Sequence, residues 1–549
     1  MRIIKTISLV AAAALASGLL ASCRNTDETE ASSASSAAAV SSEETSAATA
    51  DTTETTETTE SVPSASQKPV TVQRSQYTAD LTITKPEHIK DDLRVTGHES
   101  ITFVNDSADT WNEICIRDYN AANIYEARKS DGKKVDYKDL HTAVIGIRQN
   151  GRDITFSEND DHSVLMVKLD KPLAPGEETI VEIDFDLTVP YSTVRQSYSS
   201  ADHSANHKVS DDDLNDLVVA LGPFLPTLAA YDEKGWADDP YFEDGECFYT
   251  KCSDYRVHVN VPEGFELAAT GTETRNSDGS YDISADNVRD MAVIAGDELV
   301  YSEDTSEGKL IRSWYPKSQE SIAKLAEDMR PAAVNSVKAF TAQFGEYLYD
   351  ELDVVYCAFD NGGMEYPGLV RINDSYAEVV AADVPDDVTK ALTENVARTV
   401  AHEIGHEWFY AAVGDDQYNE AWLDEGFASF TEIVYLESTG TDQRMLDMSV
   451  KVMRGAYEMS GNSKLDQSVS DLTKITEFDY ATTVYYGGAV FLCDLRDTMG
   501  KEAFDGFMRQ WYNAKKGGIA TTREFLDMLY SVDDGEEVHK LTKKYFTDP

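Results

Sequence analysis

From about residue 75 to 310, polar and apolar positions alternate along the chain. In VEIDFDLTV (181–189), Val181, Ile183, Phe185, Leu187 and Val189 fall on one side, and Glu182, Asp184, Asp186 and Thr188 on the other. A period of two predicts a strand with one buried and one wet face. YTADLTITK, ESITFVN, SVLMVKLD and YRVHVNVPEGF repeat the theme, with turn signals at Asn105-Asp106 and Pro175-Gly176. The pattern predicts an antiparallel β domain over residues 73–316.

Near Pro316 the period lengthens. Ile322, Leu325 and Met329 stand at helical spacing. Pro331 is expected to restart the helix, and Val334, Val337, Phe340 and Phe344 carry the apolar face on to Gly345. LDVVYCAF (352–359) reads as a short strand, and helices are expected over 386–412, 421–438, 443–458 and much of 485–548. A boundary therefore falls near 310–318, with a second, mainly helical domain over 317–549.

The first 72 residues follow neither period. Arg2 and Lys5 precede a short apolar run, Ile7 to Leu20, too short to span a bilayer but suited to a signal peptide over residues 1–22. Leu20-Ala21-Ser22-Cys23 resembles the lipobox of bacterial lipoproteins, which implies cleavage and lipidation at Cys23. Residues 23–72 are dominated by Ser, Thr, Ala and Glu and lack aromatic residues. Such a segment cannot bury enough surface to offset its ordering entropy, and reads as a disordered tether.

Composition sharpens this in two ways. The 549 residues carry a net charge of −51, which argues against a nucleic-acid partner. Of six cysteines, Cys23 is assigned to the lipid, and Cys115, Cys357 and Cys493 read as buried small apolar residues. Cys247 and Cys252 in CFYTKC either close a small disulfide loop or stay unpaired.

The candidate chemistry begins at TVAHEIGHEWFY (399–410). On a helix His402 and His406 project from one face, one turn apart, and can share one zinc ion. Glu403 lies beside the first histidine, placed for a zinc-bound water. A third ligand is needed, and Glu425 in NEAWLDEGFASFTEIVY is the candidate, on a second helix beyond a polar loop. Glu432, seven residues on, either orients a ligand histidine or is simply solvated.

Residues 399–432 resemble the gluzincin zinc aminopeptidases of the aminopeptidase-N and leukotriene epoxide hydrolase family. That family carries HExxH, eighteen intervening residues and Glu. Glu425 has this spacing, inside WLDEGFA, with Asp424 where the family usually has Asn, and Trp408 matches a family tryptophan. NGGMEYPG (361–368) is similar to the GxMEN signature, with Tyr366 in the Asn position. YATTVYYGGAV (480–490) is similar to the YxKG segment, with Gly487 in the Lys position.

The resemblance implies a saddle-like N-terminal β domain and a thermolysin-like catalytic domain, without the large C-terminal helical domain of many members. It implies one zinc ion on His402, His406 and Glu425, and Glu403 as acid–base catalyst. Glu365 would bind the substrate ammonium, with Gly362, Gly363 and Met364 along the substrate backbone. Tyr485 would stabilise an oxyanion, with Tyr486 as the rival register and Tyr480 a further candidate. The expected protein is a membrane-anchored bacterial surface aminopeptidase acting on peptides with a free N-terminus. The alternatives are a zinc endopeptidase or epoxide hydrolase of the same fold, or a non-catalytic peptide-binding lipoprotein. Nothing in the sequence gives side-chain specificity or oligomeric state.

Overall fold

The computed structural model describes residues 74–549 except 205, 206, 244, 383, 475, 476 and 548. The expected signal peptide, Cys23 and the tether lie outside the described residues. The alternation expected at 181–189 is present: Val181, Ile183, Phe185, Leu187 and Val189 of strand Glu178–Val189 are all buried. Each such side chain contributes about 1.5–3 kcal/mol of burial free energy.

This strand belongs to an eight-stranded sheet that also holds Gln76–Thr84, Leu93–Val104 and Ser253–Asn260. The sheet is mixed, not purely antiparallel: Gln76–Thr84 runs parallel to Ser253–Asn260, with Tyr77 opposite Tyr255. Alternation fixes which face is buried but is silent on direction, so the long-range parallel pair has no local signature. Two four-stranded sheets and a two-stranded one, Tyr231–Asp232 with Gly235–Trp236, complete the domain around a core running from Tyr77 to Ala295.

Strands Leu299–Ser306 and Lys309–Pro316 lie upstream of the expected boundary yet pair forward. They form a five-stranded sheet with Glu351–Cys357, Leu369–Asn373 and the edge strand Gly363–Tyr366. A period of two marks a strand without saying which sheet it joins. Helix Glu320–Gln343 covers this sheet and runs unbroken through Pro331. Pro331 is exposed, so the carbonyl deprived of its N–H partner faces the solvent side, while Met329, Ala332 and Ala333 keep the buried face continuous.

Helices Asp386–Gly405, Glu425–Ser438, Gln443–Met459 and Gly488–Met499 pack into a core running from Ile311 to Phe546. A further buried cluster joins the domains: Tyr119 and Ile294 from one side, Trp314, Val355, Tyr366 and Tyr410 from the other. Arg312 adds a buried ionic tie, 2.6 Å to Glu273 of the β domain and 2.6 Å to Asp353. Among the described residues no helix is long and apolar enough to cross a membrane.

Candidate metal centre and active site

The first helix of the site opens on Asp386 and Asp387, where the macrodipole favours acid, and buries Val396, Val400, Ala401 and Ile404. It ends at Gly405, not near 412. His406 caps it, Ala411 N–H donates to His406 O at 2.9 Å, and Tyr410 turns the chain with φ 127°. This turn carries Val413–Gly414 into a parallel pair with Gly518–Ile519. Helical periodicity continues through Trp408 and Phe409 because both are buried, so the pattern alone could not mark the stop.

The second helix begins at Glu425 and lies across the first. A third, Gly488–Met499, closes on it through a glycine contact: a Cβ on Gly426 would stand 2.9 Å from Gly488 Cα. That approach seats a π-helical turn, Thr482–Gly487, over Glu425.

His402 Nε2 is 3.1 Å and His406 Nε2 3.4 Å from the same Glu425 oxygen, Oε2. The other ring nitrogens are each held by acid. His402 Nδ1 is 3.2 Å from Glu432 Oε1, and His406 Nδ1 pairs with Asp424 Oδ1. Those acids are fixed in turn, Glu432 by Arg398 at 2.6 Å and Asp424 by Gln417 at 2.5 Å. Carboxylates at both Nδ1 atoms set the tautomer that leaves both Nε2 lone pairs facing inward. Two nitrogens and a carboxylate oxygen within 4.8 Å of one another are the donor set zinc takes, so the residues present fit the ion.

Without an ion in place, the same acids favour protonated imidazoles. Burial works against charge on His402, but Glu425 and Glu432 outweigh it and push it up to about 9. His406 stands well above its ordinary value, for although burial again opposes charge, Asp424 prevails. Burial would raise the Glu425 carboxyl, yet the two imidazoles hold it well below the usual carboxylate range.

Glu403, on the same helix, is buried beneath the edge strand. A Cβ on Gly363 would stand 2.5 Å from Glu403 Cδ, so glycine is what lets the strand pass over it. Glu365 from that strand comes within 4.8 Å of Glu403 and His406, measured between potential ligand atoms. Burial pushes Glu403 up to about 7 against the pull of the histidines. Burial and the neighbouring Glu246 push Glu365 well above its ordinary value. Met364, by the strand's alternation, turns the other way, buried with Sδ 3.4 Å from Arg195 Nε. Gly362 lies against Tyr376, and Tyr366 Oη donates to Gly222 O at 3.3 Å.

The structure separates the three tyrosines. Tyr485 Oη donates to Glu425 Oε1 at 2.5 Å, and its ring stacks on His402 at 5.9 Å. Tyr486 faces Glu432 and Arg398 instead. Tyr480 is buried, edge-on to Tyr485 at 6.1 Å, with its hydroxyl lacking a hydrogen-bond partner.

Sequence reasoning missed two features. Asp424, noted only as a departure from Asn, is the carboxylate that holds His406. Glu246 reaches the site from the β domain, ion-paired with buried Arg195, and its charge acts on Glu365, Glu403 and Glu425. Its sole local signal is adjacency to Cys247. Cys247 and Cys252 are both buried and unbonded, so CFYTKC closes no disulfide loop.

A gluzincin-type metal centre, set between a β domain and a helical domain, defines the class of protein. The particular resemblance follows: residues 332–545 match the Peptidase family M1 domain, with aminopeptidase N among the relatives of similar sequence. Aminopeptidase N of Lactobacillus delbrueckii subsp. lactis is 27% identical over 201 residues, 35% of this chain and 23% of that protein. Aminopeptidase M1-D of Oryza sativa subsp. japonica is 26% identical over 240 residues, 43% of this chain and 27% of its own length. The aligned regions thus span about a quarter of these curated relatives. A solved M1 zinc metallopeptidase from Deinococcus radiodurans shares the fold over 87% of this chain and 94% of its own, with TM-score 0.55 and 18% identity. A mutant of it bound to a Tyr-ser-ala substrate superposes with TM-score 0.56 at 18% identity, over 87% of this chain and 95% of its own.

Proposed function

We propose that this protein is an exported zinc aminopeptidase that removes the first residue from peptides. One observation carries the direction of cleavage. Glu365 is buried beside Glu403 and His406, and its Oε1 has no hydrogen-bond partner. A buried orphan carboxylate is costly, and a substrate ammonium satisfies it and favours its ionised form. Glu246, ion-paired with Arg195, faces the same end and works against ionisation of Glu365 until a cation arrives. Anchoring the ammonium there fixes the first peptide bond over the metal centre.

Held by His402, His406 and Glu425, zinc supplies Lewis-acid polarisation of the scissile carbonyl and of a water. Glu403 accepts the proton of the attacking water and delivers it to the leaving amine. The Tyr485 hydroxyl, already at the metal-facing carboxylate, donates to the oxyanion that develops on the carbonyl. Glu432 and Asp424 hold the two imidazoles in orientation throughout.

Glu365→Gln tests the anchor. A charge-assisted hydrogen bond of about 1.5–3 kcal/mol corresponds to a roughly 10–100-fold loss of kcat/KM on aminoacyl anilides. The Ki of a hydroxamate lacking an amine stays unchanged. Equal losses on both would remove the anchoring role.

The site of action rests on Leu20-Ala21-Ser22-Cys23, which supports export, lipidation at Cys23 and a place on the bacterial cell surface. A palmitate analogue supplied to cells should label the protein, and Cys23→Ala should abolish the label. Label that survives this substitution, or never enters, contradicts the anchor.

A further inference from the structure

A second cavity, of about 600 Å³, opens where the β domain meets the 516–519 loop of the catalytic domain, and the mechanism uses none of it. One wall is aromatic. Trp111, Tyr231 and Trp236 form a mutual cluster with ring centroids 4.7–5.2 Å apart. Four cations also line it, Arg74, Lys251, Arg289 and Lys516, against one lining carboxylate, Asp106; Arg74 is itself paired with Asp254 at 2.7 Å. This inverts the balance of a chain with 99 acidic and 48 basic residues.

The polar groups here are donors in excess of acceptors. Asp106 is already taken by Lys251 at 2.8 Å. Arg289 is buried, and its hydrogen bonds run to backbone carbonyls of Thr250, Tyr410, Ala412 and Gly518, which leave its charge without a hydrogen-bonded carboxylate. Trp111 is 4% exposed, and its indole N–H, a donor only, has no partner. A buried unpaired donor calls for an acceptor. The same guanidinium pins the cavity wall to the Tyr410–Ala412 turn, so the walls are braced by buried structure on both domains.

We propose that this interdomain cavity binds a small organic acid: a carboxylate for the cationic side, carried on a flat apolar body that stacks on the half-buried rings of Tyr231 and Trp236. Its volume lies within the range of ordinary ligand sites. Charge excludes an ammonium-bearing ligand, since the sole carboxylate is occupied.

The probe is indole-3-propionate, titrated calorimetrically into the full zinc-loaded chain with the metal centre blocked by a hydroxamate, because carboxylates also ligate zinc. One equivalent is expected to bind, at least tenfold tighter than the neutral indole-3-propionamide and more weakly as salt rises. Lys251→Glu combined with Lys516→Glu should weaken it at least tenfold, and Trp236→Ala should abolish it. Both variants should keep anilide turnover at a temperature where each is folded. N-acetyltryptophan, which presents the end of a peptide, tells a free acid from a peptide C-terminus by whether it binds as tightly. The proposal is overturned if the amide binds as well as the acid, if charge reversal leaves affinity unchanged, or if blocking the metal centre removes the binding.

Discussion

Replacing Glu403 by Gln should leave one zinc ion bound and lower kcat on an aminoacyl anilide by about 10³–10⁴-fold. The side chain keeps its size, so the edge strand still passes over it through Gly363, 2.5 Å from a built Cβ to Glu403 Cδ. The group of His402, His406 and Glu425 does not include it, so the metal should stay. What is lost is an atom able to take the water's proton and return it. Burial pushes this carboxyl up to about 7, which suits a base working near neutrality. The positive charge of a bound ion favours its ionised form, so the acid limb of kcat/KM should fall below pH 7 in the loaded enzyme. Turnover within tenfold of wild type, with zinc retained, would remove Glu403 from the reaction.

Removing the metal should abolish turnover, and returning it at pH 7 should release two protons from the imidazoles and a further fraction from Glu403. Without metal, His402 is pushed up to about 9 and His406 well above its ordinary value, so both imidazoles are protonated at neutrality. Zinc requires each Nε2 lone pair, and Glu425 contributes no proton because the histidines already hold it ionised. Calorimetry in buffers of different protonation enthalpy reads the number directly, and affinity should climb with pH at a slope above two. Stability of the metal-free chain runs the opposite way. A raised histidine stabilises fully below the unfolded value of 6.5, and that contribution is lost as pH rises through about 9. Release of no protons would mean that the imidazoles are neutral before the metal arrives.

Much of the chemistry could be read along the chain because the motifs are short. HExxH sets two ligands and a base within one turn of a helix. The distance to Glu425 is a loop and a helix start, both visible as local patterns. The Glu365 strand and the Tyr485 segment also stand in recognisable neighbourhoods. What could not be read are contacts made across the fold. Glu246 enters from the other domain behind an ion pair with Arg195. Asp424 gains its meaning only once Gln417 and His406 close on it. The choice between Tyr485 and Tyr486 depends on a π-helical turn and a glycine contact between two helices.

By itself, then, the sequence determined the periods of its elements, the candidate ligand set and the order in which a β domain precedes a helical one. These depend on spacing of a few residues, which the backbone geometry of a helix or strand converts directly into a face. The tertiary structure alone decided that the large sheet is mixed and that residues 299–316 pair forward into the catalytic sheet. It also decided that the metal helix stops at Gly405, and that an aromatic and basic cavity lies between the domains. Each of these joins residues far apart in the chain, where no local period records which partner burial and charge will select.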